Sequence, residues 1–148
     1  MTSCVSQLFK EPNPTFSSDI SYQAPDSPFF KIENSVFPSW KNKTTNNVIS
    51  ILSDCNNQSQ SLKQALTLIS SSIDGATIKE EKKTTLKGKM ALFQKNQGEI
   101  DGSEIIVHSI SFKNNNCYFV SSISGAPDKI NIDLKSWDKF NLSLEFKK

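Results

Sequence analysis

The sequence predicts an α+β fold, an antiparallel β-sheet with helices packed on it. Three observations carry that expectation. Apolar residues alternate with polar ones, at a period of two, from Ala76 to Gly125, and turn signals break the run into segments. A helical stripe precedes it, with Leu62, Ala65, Leu66, Ile69 and Ile73 at i, i+3, i+4, i+7 and i+11. A second stripe follows it, with Ile130, Leu134, Trp137 and Leu144 at helical spacing and Phe140 alongside. Strands clustered together rather than alternating one by one with helices read as α+β rather than α/β. A chain of 148 residues fits one domain and can bury a proper core.

Taken in order, residues 1–18 read as a flexible N-terminal tether, because Pro12 and Pro14 deny the stretch a helix and no strand period is present. The folded domain is expected over residues 19–148. "DISYQAP" alternates briefly and stops at Pro25, a short strand. "SPFFKIENSVFPSW" is a loop-rich stretch with heavy aromatic content, and Trp40 to Lys43 reads as another short strand. Asn46-Asn47 marks a turn, and Val48 to Cys55 alternates with β-branched residues, a strand whose Cys55 shares a parity with Ile49 and Ile51. The helix over "NNQSQSLKQALTLISSSIDG" is capped by Ser59 or Ser61, with Gly75 placed to end it in the left-handed region. Four strand segments follow: "ATIKEEKKTTLKG", "KMALFQKNQGEIDG", "SEIIVHSISFKNNN" and "CYFVSSISG". The "NNN" between the last two is a hairpin signal, though not the tight Asn-Gly type. Pro127 and Asp128 suit the start of a closing helix.

Composition narrows the function. Net charge is +2 with lysines and acids interspersed, without an arginine-rich face or basic tail, so nothing points to nucleic acid. Lys79 to Lys83 carries its own acids and reads as a solvated strand or loop. No apolar run approaches the ~20 residues needed to span a bilayer. C-x-x-C is absent and there is one histidine, so no metal site is expected. No glycine-rich phosphate loop or G-x-S-x-G elbow occurs, and no cofactor is expected.

The opening "MTSC" poses a question of address. Bacterial lipoprotein signals end in small residues before a cysteine that is then acylated, and "TSC" fits those last positions. The charged and apolar parts of a signal do not precede it, as in a chain trimmed near its cleavage site. Cys4 is therefore the expected lipidation site, followed by the polar tether. The competing reading is an incidental cysteine in a cytosolic protein.

"SYQAP", "VISILSDC", "SLKQALTLI", "LKGKMALF", "EIDGSEIIVHSISF", "NNNCYFVSSIS" and "SWDKFNLSLEF" together resemble a group of uncharacterised bacterial lipoproteins with a PsbP-like fold. The resemblance covers roughly residues 19–146 and is one of spacing rather than of a signature motif. One departure is "SPFFKIENSVFPSW", longer than the short Pro-Pro-Gly-Trp type of turn in that group. The resemblance implies an α/β/α sandwich and a non-catalytic accessory or interaction role.

Few residues invite chemistry. Cys55 and Cys117 both fall at ends of predicted strands on apolar parities, Cys117 with Phe119 and Ile123. Two outcomes are open. They form a disulfide, if their strands are neighbours and the protein is exported, or they stay as two buried free thiols. His108 lies among Ile106, Ile110 and Phe112, either a half-buried strand residue or a general base for Cys117 or a serine. Glu99, Asp101 and Glu104 flank a glycine turn, where acids are ordinarily solvated. Tyr22, Phe29, Phe30, Phe37 and Trp40 make a binding patch if exposed and core if buried.

The expectation is thus a non-catalytic envelope lipoprotein domain, periplasm-facing and lipid-anchored to a membrane, that serves as a protein-binding accessory or scaffold module for an unidentified partner. Three alternatives stand beside it. One is an enzyme with a site assembled across loops. Another is a small apolar ligand or lipid carrier, with a cavity lined by Phe93, Ile105, Phe119 and Trp137. The last is a cytosolic adaptor or immunity-type protein with free thiols.

Overall fold

The computed structural model describes residues 16–57 and 59–148. Its strands are β1 (Ile20–Ser21), β2 (Phe29–Lys31), β3 (Ser39–Asn42), β4 (Val48–Asp54), β5 (Asp74–Leu86), β6 (Lys89–Ile100), β7 (Ser103–Asn114), β8 (Cys117–Gly125) and β9 (Glu145–Phe146). Helix α1 (Leu62–Ser70) follows β4. A 3-10 turn (Ile130–Asp133) leads into helix α2 (Leu134–Leu142). Seven strands form one sheet in the order β2-β3-β4-β8-β7-β6-β5, every neighbouring pair antiparallel. β1 and β9 pair as a separate two-stranded ribbon.

Tight turns set the register of the meander. Lys87-Gly88 and Asp101-Gly102 each join two strands with two residues, all four at positive φ (51°, 86°, 52° and 79°). That is the mirror-image turn whose twist suits a hairpin, and its second position needs glycine's freedom. The β7–β8 hairpin is equally tight. Asn114 pairs with Cys117, and Asn115, at φ 54°, turns the chain. A tight asparagine turn replaces the looser one expected, because asparagine tolerates the left-handed region.

A helix packs on each face of the central strands, which makes an α/β/α sandwich, while β5 stays exposed along most of its length. One face carries Phe112, Phe119, Ile49, Ile51 and Ile123, and packs with Ile130, Trp137, Phe140 and Leu144 in the main core. Phe112 and Phe119 sit opposite each other in the ladder and stack at 5.4 Å. The other face presents Leu92, Tyr118 and Val120 to Ala65 and Leu66 of α1. Both faces of β8 are therefore buried, which is why "CYFV" reads as a continuous apolar run.

Two helices end differently from the expectation. α1 is closed at its start by a reciprocal capping box, Ser61 Oγ accepting from Gln64 N and Gln64 Oε1 accepting from Ser61 N (3.1 and 2.7 Å). It stops at Ser70, so Ile73 lies beyond it and Gly75, at φ 62°, opens β5 instead of ending the helix. The closing helix is split into the 3-10 turn and α2, and Leu144 is buried just past its end. Asp133 explains the split. Its carboxylate is drawn into the core, where it accepts from Asn42 Nδ2 (3.0 Å to each oxygen), Thr45 Oγ1 (2.6 Å) and Asn47 Nδ2 (2.8 Å). This cluster ties the β3–β4 turn to the 3-10 turn. Gly125 leaves room for it, since a Cβ there would stand 1.8 Å from Asn47 Oδ1.

Candidate functional site

Cys4 lies outside the described residues, as does most of the expected tether. Phe16, at its end, packs edge-on against Tyr22 (5.8 Å) and Phe119 (6.0 Å), and Ser17 N donates to Ser53 Oγ at 3.0 Å. Cys55 and Cys117 are joined by a disulfide with a Cα separation of 4.1 Å. Register brings them together. Asp54 pairs with Tyr118, so the next residue of β4's chain faces the preceding residue of β8's. Free thiols at these two positions are thereby ruled out in this structure.

The enzyme reading required His108 beside an acid or Cys117. Cys117 is oxidised, and it stands opposite Asn114 at one end of the β7–β8 ladder, while His108 stands opposite Ile123 near the other. The His108 ring lies between Phe93 (5.6 Å) and Trp137 (6.2 Å), and its buried Nε2 has no hydrogen-bond partner among the described residues. Burial, then Lys95, hold its pKa below the ordinary imidazole value, with Glu80 and Asp138 pulling weakly the other way. Glu99, Asp101 and Glu104 are exposed, and Glu104 accepts from Gln97 Nε2 at 2.6 Å. No group of three or more His, Cys, Asp or Glu is arranged for a metal among the described residues.

The carrier reading required Phe93, Ile105, Phe119 and Trp137 around one cavity. Phe93 and Trp137 do line a groove of about 430 Å³ between β5–β7 and α2, open to solvent and edged by Lys82, Thr84, Asp138 and Asn141. Phe119 is instead packed in the closed core, and Ile105 is of opposite parity to His108 and Ile110 on β7. The four do not converge, because neighbouring positions on a strand point to opposite faces.

The aromatic segment is divided by the same alternation. Trp40 (4% exposed) and Phe29 point into the main core, where Trp40 packs with Tyr22 (5.5 Å) and Phe140 (5.4 Å). Tyr22 is half-buried, and burial raises its phenol pKa. These three serve packing. Phe30 (42% exposed) points to the opposite face, and Val36 (64% exposed) and half-buried Phe37 lie in the β2–β3 loop. The surface that remains is therefore smaller than the sequence suggested, and it gains Val36, whose placement only the loop decides.

Neighbours of Phe30 follow from the register. Phe30 pairs with Lys41, Lys41 with Val48, and Val48 with Ser124. On the same face, Ser39 pairs with Ser50, their hydroxyls 2.8 Å apart, and Leu52 pairs with Val120. Lys43 Nζ lies over the Phe30 ring at 5.9 Å.

No family model and no curated protein matches the chain. Solved structures do. A Pseudomonas aeruginosa protein of unknown function, PA94, superposes with a TM-score of 0.62 at 10% identity, covering 86% of this chain and 88% of that one. Cyanobacterial PsbP (CyanoP) from Synechocystis sp. PCC 6803 gives 0.56 at 8% identity, over 89% and 90%. A Bacteroides thetaiotaomicron protein gives 0.51 at 14% identity, over 90% of this chain and 44% of that one. At these identities the likeness is one of fold, and the fold is PsbP-like.

Proposed function

We propose that this chain is a non-catalytic accessory domain of the bacterial cell envelope that works by binding another protein. The observation that carries the reading is apolar exposure at the β2 edge of the sheet, where Phe30 on β2 and Val36 in the β2–β3 loop face solvent while Phe29 and Trp40 are buried. Exposed aromatic and aliphatic side chains grouped at one place mark interaction sites. The Cys55–Cys117 disulfide supports an oxidising, periplasm-facing location. In that setting Cys4 is the lipid-bearing residue, and several acyl chains on it hold the domain at a membrane where one chain alone would bind marginally. Its fold is shared with cyanobacterial PsbP, and an accessory role is in keeping with that likeness.

Two measurements test the reading. The protein exported from its full-length precursor is expected to carry acyl mass on Cys4 and to gain two hydrogens on reduction, whereas an unmodified chain with three free thiols moves it to the cytosol. A photo-crosslinker at Val36 is expected to trap a discrete protein in the cell, and one at Ile78 on β5 is not. Equal, diffuse labelling from both positions removes the binding surface.

A further inference from the structure

The sheet face that carries Phe30 is only half covered. α1 packs on β6, β7 and β8. On that same face the β2–β3–β4 side presents Phe30, Lys41, Val48, Ser50 and Leu52, all exposed or half-buried. Strands spaced by ~4.8 Å make this strip about 10 Å wide, close to the ~10–12 Å diameter of a helix with side chains. α1, packed on the adjacent β8, borders it on one side, so sheet and helix meet in a step, a one-walled trough open toward β2. Its chemistry is divided: the Phe30 end is basic, and Asp54, on the same face beyond Leu52, accepts from Gln60 Nε2 at 3.1 Å. Lys41 and Lys43 flank the Phe30 ring, and among the described residues neither has a carboxylate within ion-pair range. Ser39 and Ser50 bond to each other, which leaves a small, even floor between Phe30 and Leu52.

We infer that this trough receives an amphipathic helix of the partner protein, laid beside α1, with aliphatic residues on Phe30, Val48 and Leu52 and acidic residues along the flank that meets Lys41 and Lys43. The inference rests on the protein-binding reading and adds the partner's chemistry to it. A step between sheet and helix suits an inserted helix, whereas a lipid surface meets a protruding, convex patch. Charge complementarity across such a contact governs the encounter rate and its salt dependence.

The test is selection of a randomised helical peptide library on the immobilised full chain. Selected peptides are expected to carry Asp or Glu on one flank of an i, i+3, i+4, i+7 aliphatic stripe. Their affinity is expected to fall about tenfold in Lys41→Glu, to recover with a Glu-to-Lys change in the peptide, and to weaken with salt. A second measurement offers the chain to phosphatidylglycerol vesicles. Peptides that are basic or extended, that bind Lys41→Glu unchanged, or that fail to emerge overturn the inference. Vesicle binding that is lost in Lys41→Glu overturns it too, by giving the lysines to lipid. Peptides that lose binding in Val36→Asp but not in Lys41→Glu leave the protein-binding reading standing and remove only the helix trough.

Discussion

The middle of the sheet and its β2 edge treat aromatic side chains in opposite ways. Around β7 and β8, Phe112 and Phe119 are wholly buried and stacked, with Phe146 of β9 and Phe16 packed against them. Around β2, adjacent residues part company, Phe29 into the core and Phe30 into solvent. The first region is held by packing in depth, the second by an edge strand of three residues. Mutations should therefore separate stability from recognition cleanly. A change in the closed centre costs folding, and a change at the open edge costs binding.

The largest effect is expected in the closed centre. Phe119→Ala should destabilise by about 3–5 kcal/mol, read from the urea midpoint, since removal of a buried ring loses its transfer energy and leaves a cavity. Reduction of Cys55–Cys117, or Cys55→Ser with Cys117→Ser, comes next. With the cysteines separated by 62 positions in sequence, loop closure contributes about 4 kcal/mol in the chain-entropy model. Paired denaturation curves with and without reductant measure it, and coincident curves would show that the β4–β8 ladder alone sets the stability. Asp133→Ala should cost about 2–3 kcal/mol, because Asn42, Thr45 and Asn47 lose their common acceptor while buried.

His108 gives a smaller, pH-dependent term. Its folded pKa lies below the ordinary 6.5, so between the two values the unfolded chain binds more protons and stability rises with pH. The contribution of neutral His108 is complete above about 6.5 and is lost as pH falls from there toward the folded value. Thermal unfolding from pH 5 to 8 should show this slope, and His108→Phe should flatten it. The smallest effect on stability belongs to the open edge. Phe30→Ser and Lys41→Glu should each change it by no more than about 0.5 kcal/mol. A loss at Phe30 as large as that at Phe119 would erase the distinction between the two regions.

Much of the architecture could be read from local pattern. The alternation from Ala76 to Gly125 marked the meander, the stripe from Leu62 to Ile69 marked α1, and the glycine turn at Asp101 and the "NNN" marked two of the hairpins. β2 went unseen, because three residues between a proline and a loop carry too short a period to register. The parity that grouped Phe29 with Phe30 as one aromatic patch could not say which faced inward, since no regular strand around them defined a face. Asp133 was also missed. Its sequence context, "NID", is that of any helix start, and its partners lie 86 to 91 residues away.

What the sequence determined by itself is therefore local: where the chain alternates, where it coils and where it turns back, all set by periodicity and backbone preference over a few residues. Tertiary structure decided everything that needs two distant segments at once. It placed β4 against β8 in the register that sets Cys55 across from Cys117, drew Asp133 under the β3–β4 turn, and chose Phe30 rather than Phe29 for the surface. Those choices rest on which side chains share a face after strands from far apart in the chain pair. A one-residue shift in strand pairing would have parted Cys55 from Cys117 and exchanged the faces of Phe29 and Phe30.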